Sequence, residues 1–480
     1  MNAALGELLV SENVITQAQL EQAIARQKHE GGRVGEILVV MGAISADTLE
    51  RFFRNTPPVP RKVEQTGLSE IFLTELMLKI AFFEAGVFTL SSITQKISLP
   101  RSVVDELVFQ AKADRLVAVR STGSSGGNAS LVYELTDAGR ERAEVALTQS
   151  QYAGPAPVPI DDYTSMVTHQ SIRHIEVDEA WVRQSLAKLV LSDALIAQLG
   201  PAMNSGRSMF LYGPPGAGKS SVAEAMARAL PGEVFVPHAI EVDGHVIRVF
   251  DSETHVPVVE EKASKGLQLE LDSGHKHDPR WVLCRRPCVM VGGELEMNAL
   301  DLDYDVVSKF YEAPVHMKAA NGVFILDDFG RQQIAPRVLL NRWIVPLERG
   351  TDFMSLHTGK KFEVPFDQIT VFCTNLRPGD LVDEAFLRRI RHKIKIDYQT
   401  ETEFFEILRR TCENQEIHYD RQAADYLVDT YYRKAGRPFV GCHPRDLIDQ
   451  IVDRARYKKT LPELNRESID AAAANYFVEL

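Results

Sequence analysis

A glycine-rich loop between an apolar strand and a helix is the feature that most restricts the fold of this chain. The sequence MFLY (209–212) predicts a short buried strand, GPPGAGKS (213–220) follows it at once, and VAEAMARAL (222–230) has helical spacing. The backbone N–H groups of such a loop, with the positive end of the following helix, surround phosphate groups. Both pattern and context therefore match a phosphate-binding P-loop at the edge of a parallel sheet.

Each position of the loop has an expected role toward ATP and Mg²⁺, the two cofactors that the motif predicts. Lys219 is expected to reach the β- and γ-phosphates, and the Ser220 hydroxyl to bind Mg²⁺. The other positions contribute backbone that wraps around the phosphates. The predicted ATP-binding residues are Gly213, Pro214, Pro215, Gly216, Ala217, Gly218, Lys219, Ser220 and Ser221.

Two further apolar strands end in polar side chains that suit the same chemistry. VFILDD (323–328) predicts a buried strand that ends at Asp327, a second Mg²⁺-binding residue, and at Asp328, which is placed to polarise an attacking water. ITVFCTN (369–375) predicts another strand, and Asn375 at its end can orient that water. Two solvated acids that merely cap a buried strand are the alternative, which the preceding P-loop disfavours.

Together these motifs resemble those of AAA+ ATPases, and the resemblance covers roughly residues 172–480. Asn375 matches the position called sensor 1. EAFLRRI (384–390) is similar to the segment that carries the arginine finger, and GCHPRDL (441–447) is similar to the sensor 2 segment that opens a lid helix. The resemblance implies a ring of identical subunits, usually a hexamer.

The same resemblance implies catalytic roles for three arginines. Arg388 or Arg389 would reach the γ-phosphate held by a neighbouring subunit, and Arg389 is favoured because it directly precedes the apolar Ile390. Arg445 would contact the γ-phosphate within its own subunit. The family usually has Glu at the position of Asp328, which is one methylene shorter, so we expect slow or partner-dependent hydrolysis.

The resulting fold class is an α/β P-loop core of the AAA+ kind (172–398) followed by an all-α lid (399–480). About a hundred residues separate the P-loop from VFILDD, more than a minimal core requires, and they include VDGHVIRVFDSETHVPVV (242–259), whose alternation predicts a hairpin. FMSLHTG (353–359) and KKFEVPF (360–366) resemble the extra hairpin of the MoxR-like and helper-ATPase branches.

Residues 1–56 contain two similar segments, 5–24 and 34–53, each with Gly-Glu, an aliphatic pair, a turn and a helix. They resemble the MshEN domain of type II secretion and type IV pilus assembly ATPases, whose repeated pattern binds cyclic di-GMP. The second segment keeps Arg33, Gly35, Leu38, Val39, Gly42 and Leu49. The first has Ala4 in place of the expected Arg and Asn13 in place of the expected Gly. Cyclic di-GMP binding and a protein-docking role both remain open.

Residues 61–148 predict a small helical domain with a β-hairpin, an order that resembles a winged helix. In this interpretation 100–113 is the recognition-type helix and the turn within 121–130 is the wing. The basic residues Arg101, Lys112, Arg115 and Arg120 are diluted by Asp105, Glu106 and Asp114. The proline-rich stretch 149–171 predicts an extended linker to the AAA+ core.

Composition narrows the function classes. A net charge of −12 argues against broad electrostatic binding of nucleic acid, although a local basic face is compatible with it. The N-terminus lacks the pattern of a secretory signal and no apolar run is long enough to span a bilayer, so we expect a cytoplasmic protein without membrane insertion. The five cysteines predict free thiols. The spacing of His275, His277, Cys284 and Cys288 would also allow a zinc site, but two thiols buried in the core are the simpler interpretation.

Three functions compete at this level. The leading one is an ATP-hydrolysing ring that remodels or assembles a protein partner, with N-terminal domains for recruitment or for sensing a signal such as cyclic di-GMP. The second is an ATP-controlled regulator that binds DNA through the winged helix. A secretion motor, suggested by residues 1–56 alone, is disfavoured because Asn375 and the segments 384–390 and 441–447 resemble those of AAA+ rings.

Overall fold

The computed structural model of this chain describes residues 9–10, 14–30, 34–45, 56–123, 130–258, 277–381 and 384–477. Helices α1 (Gln17–Glu30) and α2 (Val34–Val40) pack against each other near the N-terminus. Their small core contains Leu20, Ala23 and Leu38, all nearly inaccessible to solvent. No helix in the described ranges combines the length and apolar character that a bilayer crossing requires.

The next body combines helices with a small antiparallel sheet. Its elements are α3 (Glu70–Phe83), β1 (Val87–Thr89), α4 (Leu90–Ile97), α5 (Arg101–Ala113), β2 (Val117–Gly123), β3 (Ser130–Leu135) and α6 (Asp137–Gln149). The strand order is β1-β3-β2, and every pair is antiparallel. Helices and the pair β2–β3 are present, with β1 as an additional strand after the first helix. The turn within 124–129 lies outside the described residues, and the winged-helix assignment stays a prediction.

The prediction of an extended linker over 149–171 is wrong in its second half. Strand β4 (Val158–Pro159) pairs in parallel with a later strand, and α7 (Ile160–His169) is a helix with Tyr163 and Val167 buried. Prolines favour an extended backbone, but they do not require that this backbone is exposed. The segment 150–157 contacts the N-terminal body, where the Ala156 N–H donates to Ile97 O at 2.7 Å. The helix starts after Pro159, where a missing backbone N–H costs nothing.

A five-stranded parallel sheet carries the P-loop. Its strands are β5 (Met209–Tyr212), β10 (Cys288–Val291), β13 (Val323–Leu326), β16 (Ile369–Thr374) and β17 (His392–Lys395). They follow the order β10-β13-β16-β5-β17, and each neighbouring pair is parallel. Strands β13 and β16 are completely buried, as expected where helices cover both faces of a sheet. The three strands expected from MFLY, VFILDD and ITVFCTN are therefore confirmed.

Helices cover the two faces of this sheet. The α-helices between α7 and β17 in the described residues are α8 (Glu179–Ser185), α9 (Asp193–Asn204), α10 (Lys219–Ala229), α11 (Val315–Lys318), α12 (Pro336–Arg342), α13 (Ile344–Arg349), α14 (Pro378–Leu381) and α15 (Glu384–Leu387). Two apolar cores result, one around Val222 and Val371 and the other around Trp343 and Phe372. The sheet is thus held between two layers.

The insertion between α10 and β13 forms separate sheets. Its strands are β6 (Glu233–Pro237), β7 (Ala239–Val242), β8 (His245–Arg248), β9 (Trp281–Arg285), β11 (Asp303–Tyr304) and β12 (Tyr311–Glu312). β7 and β8 form the hairpin that the alternation in 242–259 predicted, shifted toward the N-terminus. The order β11-β12-β8-β7-β4 incorporates the strand before α7, and β14 (Thr351–Ser355) with β15 (Lys361–Pro365) forms the second predicted hairpin.

The described residues after Tyr398 form helices and their connections. They are α16 (Glu401–Asn414), α17 (Arg421–Val428), α18 (His443–Lys458) and α19 (Arg466–Tyr476). Phe404, Leu408 and Ile448 are central in their apolar core. A capping box begins the first of these helices: the Thr400 hydroxyl accepts from the Glu403 N–H, and the Glu403 carboxylate accepts from the Thr400 N–H. The described residues in this range are thus helical, and the all-α lid stays a prediction.

A buried ion pair joins the insertion to two earlier parts of the chain. Arg280 and Asp278 lie 2.7 Å apart with side chains only 3% exposed. The Arg280 Nη1 group donates to Thr66 O at 2.8 Å and to Pro157 O at 3.1 Å, while Asp278 N–H donates to Pro57 O at 3.0 Å. One guanidinium thus satisfies the carboxylate and two carbonyl groups that water does not reach.

Replacement of this guanidinium is expected to loosen the junction. Arg280→Ala leaves the Asp278 carboxylate buried without its partner, a change that typically costs roughly 3–5 kcal/mol. Urea denaturation should show an earlier transition, and hydrogen exchange should rise in 57–66. Arg285→Ala, at an exposed arginine of the same strand region, is the control. Equal transitions for both variants would contradict the role of Arg280.

Candidate nucleotide-binding site

The P-loop follows β5 with a backbone that only glycine accommodates at key points. Gly213 has φ +153°, and a Cβ there would lie 1.8 Å from the carbonyl oxygen of Ile396. Gly218 has φ +92° and is the residue at which α10 begins. The loop therefore passes close to the end of β17 and then turns into the helix, with the helix N-terminus directed to the site of the phosphates.

Lys219 lies within the concave side of this loop. Its Nζ donates to Gly213 O at 3.1 Å, to Pro214 O at 2.8 Å and to Asn375 Oδ1 at 2.6 Å. Burial lowers the pKa of Lys219, while the Asp328 and Asp327 carboxylates act in the opposite direction. The loop and the neighbouring strand end thus accept from all three donors of the ammonium, which lies inside the loop that the motif assigns to phosphates.

The acidic end of β13 lies beside the start of α10. The Ser220 hydroxyl donates to Asp327 Oδ1 at 2.7 Å, and the Asp328 N–H donates to the same oxygen at 3.0 Å. A hydroxyl and a carboxylate at this separation form a hard oxygen pair, the donor type that Mg²⁺ prefers. The two predicted metal-binding residues therefore fit Mg²⁺ in their chemistry.

Asp328 has an unusual backbone conformation for a residue with a side chain. Its φ is +48°, in the left-handed region that Asp and Asn tolerate better than most residues. This conformation gives a physical reason for Asp at a position where the AAA+ pattern has Glu. The short side chain nevertheless contacts the next strand, because Asn375 Nδ2 donates to Asp328 Oδ1 at 3.1 Å.

Asn375 therefore bridges the cation and the acid. Its Oδ1 accepts from Lys219 and its Nδ2 donates to Asp328. The parallel register of β13, β16 and β5 brings the three strand ends to the same edge. The structure thus brings together five predicted site residues: Lys219, Ser220, Asp327, Asp328 and Asn375.

Two further residues shape the site without a recognisable signal in the sequence. Gln332 donates to Asp327 O at 2.9 Å and accepts from Gly330 N–H, which holds the loop after β13. Thr374 donates its hydroxyl to Phe329 O at 2.7 Å and so joins that loop to β16. The Thr374 contact depends on the pairing of β13 with β16, which a local pattern does not specify.

The segment 441–447 lies against the P-loop through its backbone. Cys442 N–H donates to Gly216 O at 3.1 Å, immediately before α18 begins. A Cβ at Gly216 would come within 2.6 Å of Val440 Cγ1 and 2.8 Å of Cys442 Sγ. The predicted proximity of this segment to the nucleotide site is therefore observed, although Arg445 itself is exposed and pairs with Asp446 at 3.3 Å.

The two candidate finger arginines have different surroundings. Arg389 Nε donates to Glu348 Oε1 at 2.6 Å, and its side chain is 26% exposed. Arg388 is exposed. Arg389 is favoured by the sequence as the arginine finger because it directly precedes the apolar Ile390. Its ion pair with Glu348 gives this choice no geometric support. Neither arginine's role toward a neighbouring subunit is tested by one chain.

The candidate cyclic di-GMP residues are only partly described. Arg33 lies outside the described residues, whereas Gly35 is in α2 and Gly42 has φ +68° just after it. For the zinc alternative, His275 also lies outside them, and no cluster of three or more His, Cys, Asp and Glu side chains is arranged for a metal in the described part.

Comparison with known proteins gives a limited result. A family model described as a domain of unknown function, DUF8689, matches residues 400–475. No curated protein matches the chain. A RuvB Holliday junction branch migration motor from Thermotoga maritima is 14% identical, with 65% of this chain and 73% of that chain covered at a TM-score of 0.32. NtrX from Brucella abortus in complex with ADP is 13% identical, with 71% and 67% covered at a TM-score of 0.37.

The described residues themselves form a parallel α/β sheet with helices, in which the glycine-rich loop and two polar strand ends make up one site.

The contact between the P-loop and residues 440–442 can be tested with two alanine variants. Gly216→Ala and Gly218→Ala both place a side chain at positive φ, but a Cβ at Gly218 meets nothing within 4 Å. Gly216→Ala should therefore lose about 1–3 kcal/mol more stability, as overpacking does. Thermal unfolding without nucleotide is the measurement. A larger loss for Gly218→Ala would contradict the described contact.

Proposed function

We propose that this chain binds ATP with Mg²⁺ and hydrolyses it to ADP and phosphate, as a subunit of a homo-oligomeric ring that remodels or assembles a protein partner. The observation that carries the ATPase proposal is the bridge made by Asn375 between Lys219 and Asp328. A cation, an acid and an amide from three strands are the groups that phosphoryl transfer to water requires at one place.

The roles follow from the positions of these groups. Lys219 provides fixed positive charge for the phosphates, and Asp328 orients and polarises the attacking water with the help of Asn375. Ser220 and Asp327 would hold Mg²⁺, which, when bound, neutralises charge on the phosphate oxygens. Because the Asp328 side chain is one methylene shorter than that of Glu, we expect slow ATP turnover in the absence of a partner.

Two substitutions separate binding from hydrolysis. Lys219→Ala should lose most nucleotide affinity, because the phosphates lose their point charge. Asp328→Asn should bind ATP normally and hydrolyse it at least about a hundredfold more slowly, the size expected for removal of a group that acts on the attacking water. Anisotropy of a fluorescent ATP analogue and release of phosphate measure the two properties. Micromolar binding by Lys219→Ala, or full turnover by Asp328→Asn, would refute the assignment.

The ring proposal requires that one subunit completes the site of the next. Arg388→Ala or Arg389→Ala should bind ATP but hydrolyse it poorly. Each inactive arginine variant, mixed with inactive Asp328→Asn chains, should regain part of the turnover, because some interfaces then combine an intact acid with an intact arginine. Restoration with only one arginine variant identifies the finger. A mixture that stays inactive at every ratio would contradict a site shared between subunits.

The N-terminal domains are proposed to recruit the protein partner or sense a signal, with cyclic di-GMP as a candidate. The DNA-regulator alternative is less favoured by the described contacts of α5 and β2. Arg101 lies 3.8 Å from Asp105, and Arg120 lies 3.8 Å from Glu134. These pairs reduce the positive charge offered to phosphates. A steep salt dependence of binding to a DNA duplex would reverse this preference.

The partner can be sought with the hydrolysis-deficient chain. Asp328→Asn is expected to retain ATP and therefore to hold its partner longer, so material that co-purifies with it should be identified with and without nuclease. Proteins that persist after nuclease and disappear in Lys219→Ala would support remodelling of a protein. DNA enriched for particular sequences would support the regulator instead.

A further inference from the structure

Four cationic side chains gather at the edge of the parallel sheet opposite the P-loop. They are Arg173, Arg207, Arg391 and Lys393, here called the basic rim. His392 pairs with Met209 in the parallel register of β17 and β5, so Arg391 stands beside Ser208, one residue from Arg207. A Cβ at Gly206 would be 2.9 Å from Arg173 Cγ, which places that arginine at the same edge.

The positive charge of this rim is poorly neutralised within the chain. Among the described residues, Arg207 and Arg391 have no carboxylate at ion-pairing distance. Asp367 lies 3.8 Å from Arg173. That carboxylate already accepts from Ser171 Oγ, Ile172 N–H and Asn321 Nδ2. Its charge is therefore largely engaged by buried donors.

The guanidinium groups are close enough to affect one another. Partial burial lowers the pKa of Arg207, and the charges of Arg391 and Arg173 lower it further. Burial also lowers the pKa of His392, with Arg391 and Lys393 acting in the same direction. Like charges held together in this way are favourable only if an anionic group approaches them.

We propose that the basic rim binds carboxylates on a second copy of this chain and so forms part of the contact between subunits. The inference rests on the proposed ring. Arg391 follows the candidate finger residues Arg388 and Arg389 by two or three positions, so a neighbour that receives either finger also comes close to the rim. A second copy contains 66 Asp and Glu residues, whose carboxylates are the groups that would meet these cations.

Nucleic acid is the other polyanion that such a rim attracts. The overall charge of −12 opposes the approach of either polyanion, so the choice of a second copy rests on the position of the rim beside the candidate finger residues. Association through this rim should therefore weaken as salt increases, since exposed charge pairs are screened.

The test compares charge variants of the full chain, all carrying Asp328→Asn so that ATP is retained. Sedimentation velocity with ATP and Mg²⁺ gives the concentration at which subunits assemble. Arg391→Glu should raise that concentration by about tenfold, through repulsion of the partner's carboxylates, and should reduce its dependence on salt. Arg391→Gln should have a smaller effect of the same sign. Arg115→Glu, an exposed arginine of the N-terminal body, should have none.

The outcomes are distinguishable. Absence of assembly by the parent chain refutes the proposed ring. Assembly of the parent and of Arg391→Glu at equal concentrations, with normal unfolding curves, refutes the rim alone. Arg207→Glu combined with Arg391→Glu should enlarge the effect, and a thermal unfolding curve checks its fold. If the rim variants assemble normally but lose binding to a short labelled DNA duplex, the rim serves nucleic acid and the inference is wrong.

Discussion

The parallel register of β5, β16 and β13 is the constraint on which the candidate site depends. It places Gly213, Asn375 and Asp327 at the same edge of the sheet, although more than a hundred residues of sequence separate the first from the other two. Hydrogen bonds then connect groups from the three strand ends. Ser220 is bonded to Asp327, and Lys219 is bonded to Asn375. A slip of one residue in this register would turn each side chain to the opposite face of the sheet and separate the groups.

The insertion and the N-terminal body are connected more closely than a chain of independent modules would be. Arg280 satisfies backbone carbonyls from residues 66 and 157, and β4 adds a strand to the insertion's own sheet. The insertion also supplies β10, whose Val291 carbonyl accepts from Asp327 N–H at 2.8 Å. Contacts therefore continue from the N-terminal body through the insertion to the acidic end of β13.

The sequence permits prediction of those parts of the molecule that local rules govern. The P-loop, the three buried strands and both hairpins follow from apolar spacing and glycine positions, and Lys219, Asp327 and Asn375 lie together as expected. The linker was misjudged because prolines indicate an extended backbone but not whether it is buried. The contacts of Thr374, Cys442 and Arg280 join residues remote in sequence, and no single-sequence pattern specifies such pairs. The MshEN-like, winged-helix and arginine-finger assignments remain predictions.

The start of α18 at the P-loop has a mechanical consequence. The helix contains 16 residues, so it extends roughly 24 Å from the loop at 1.5 Å per residue. A tilt of about 10° at the end near Gly216 would move its far end by about 4 Å, an amplitude within the range of domain motions. Tyr457 and Leu461, 89% and 84% exposed, lie at that far end. A small rotation of this helix at the P-loop would therefore be enlarged at its exposed end.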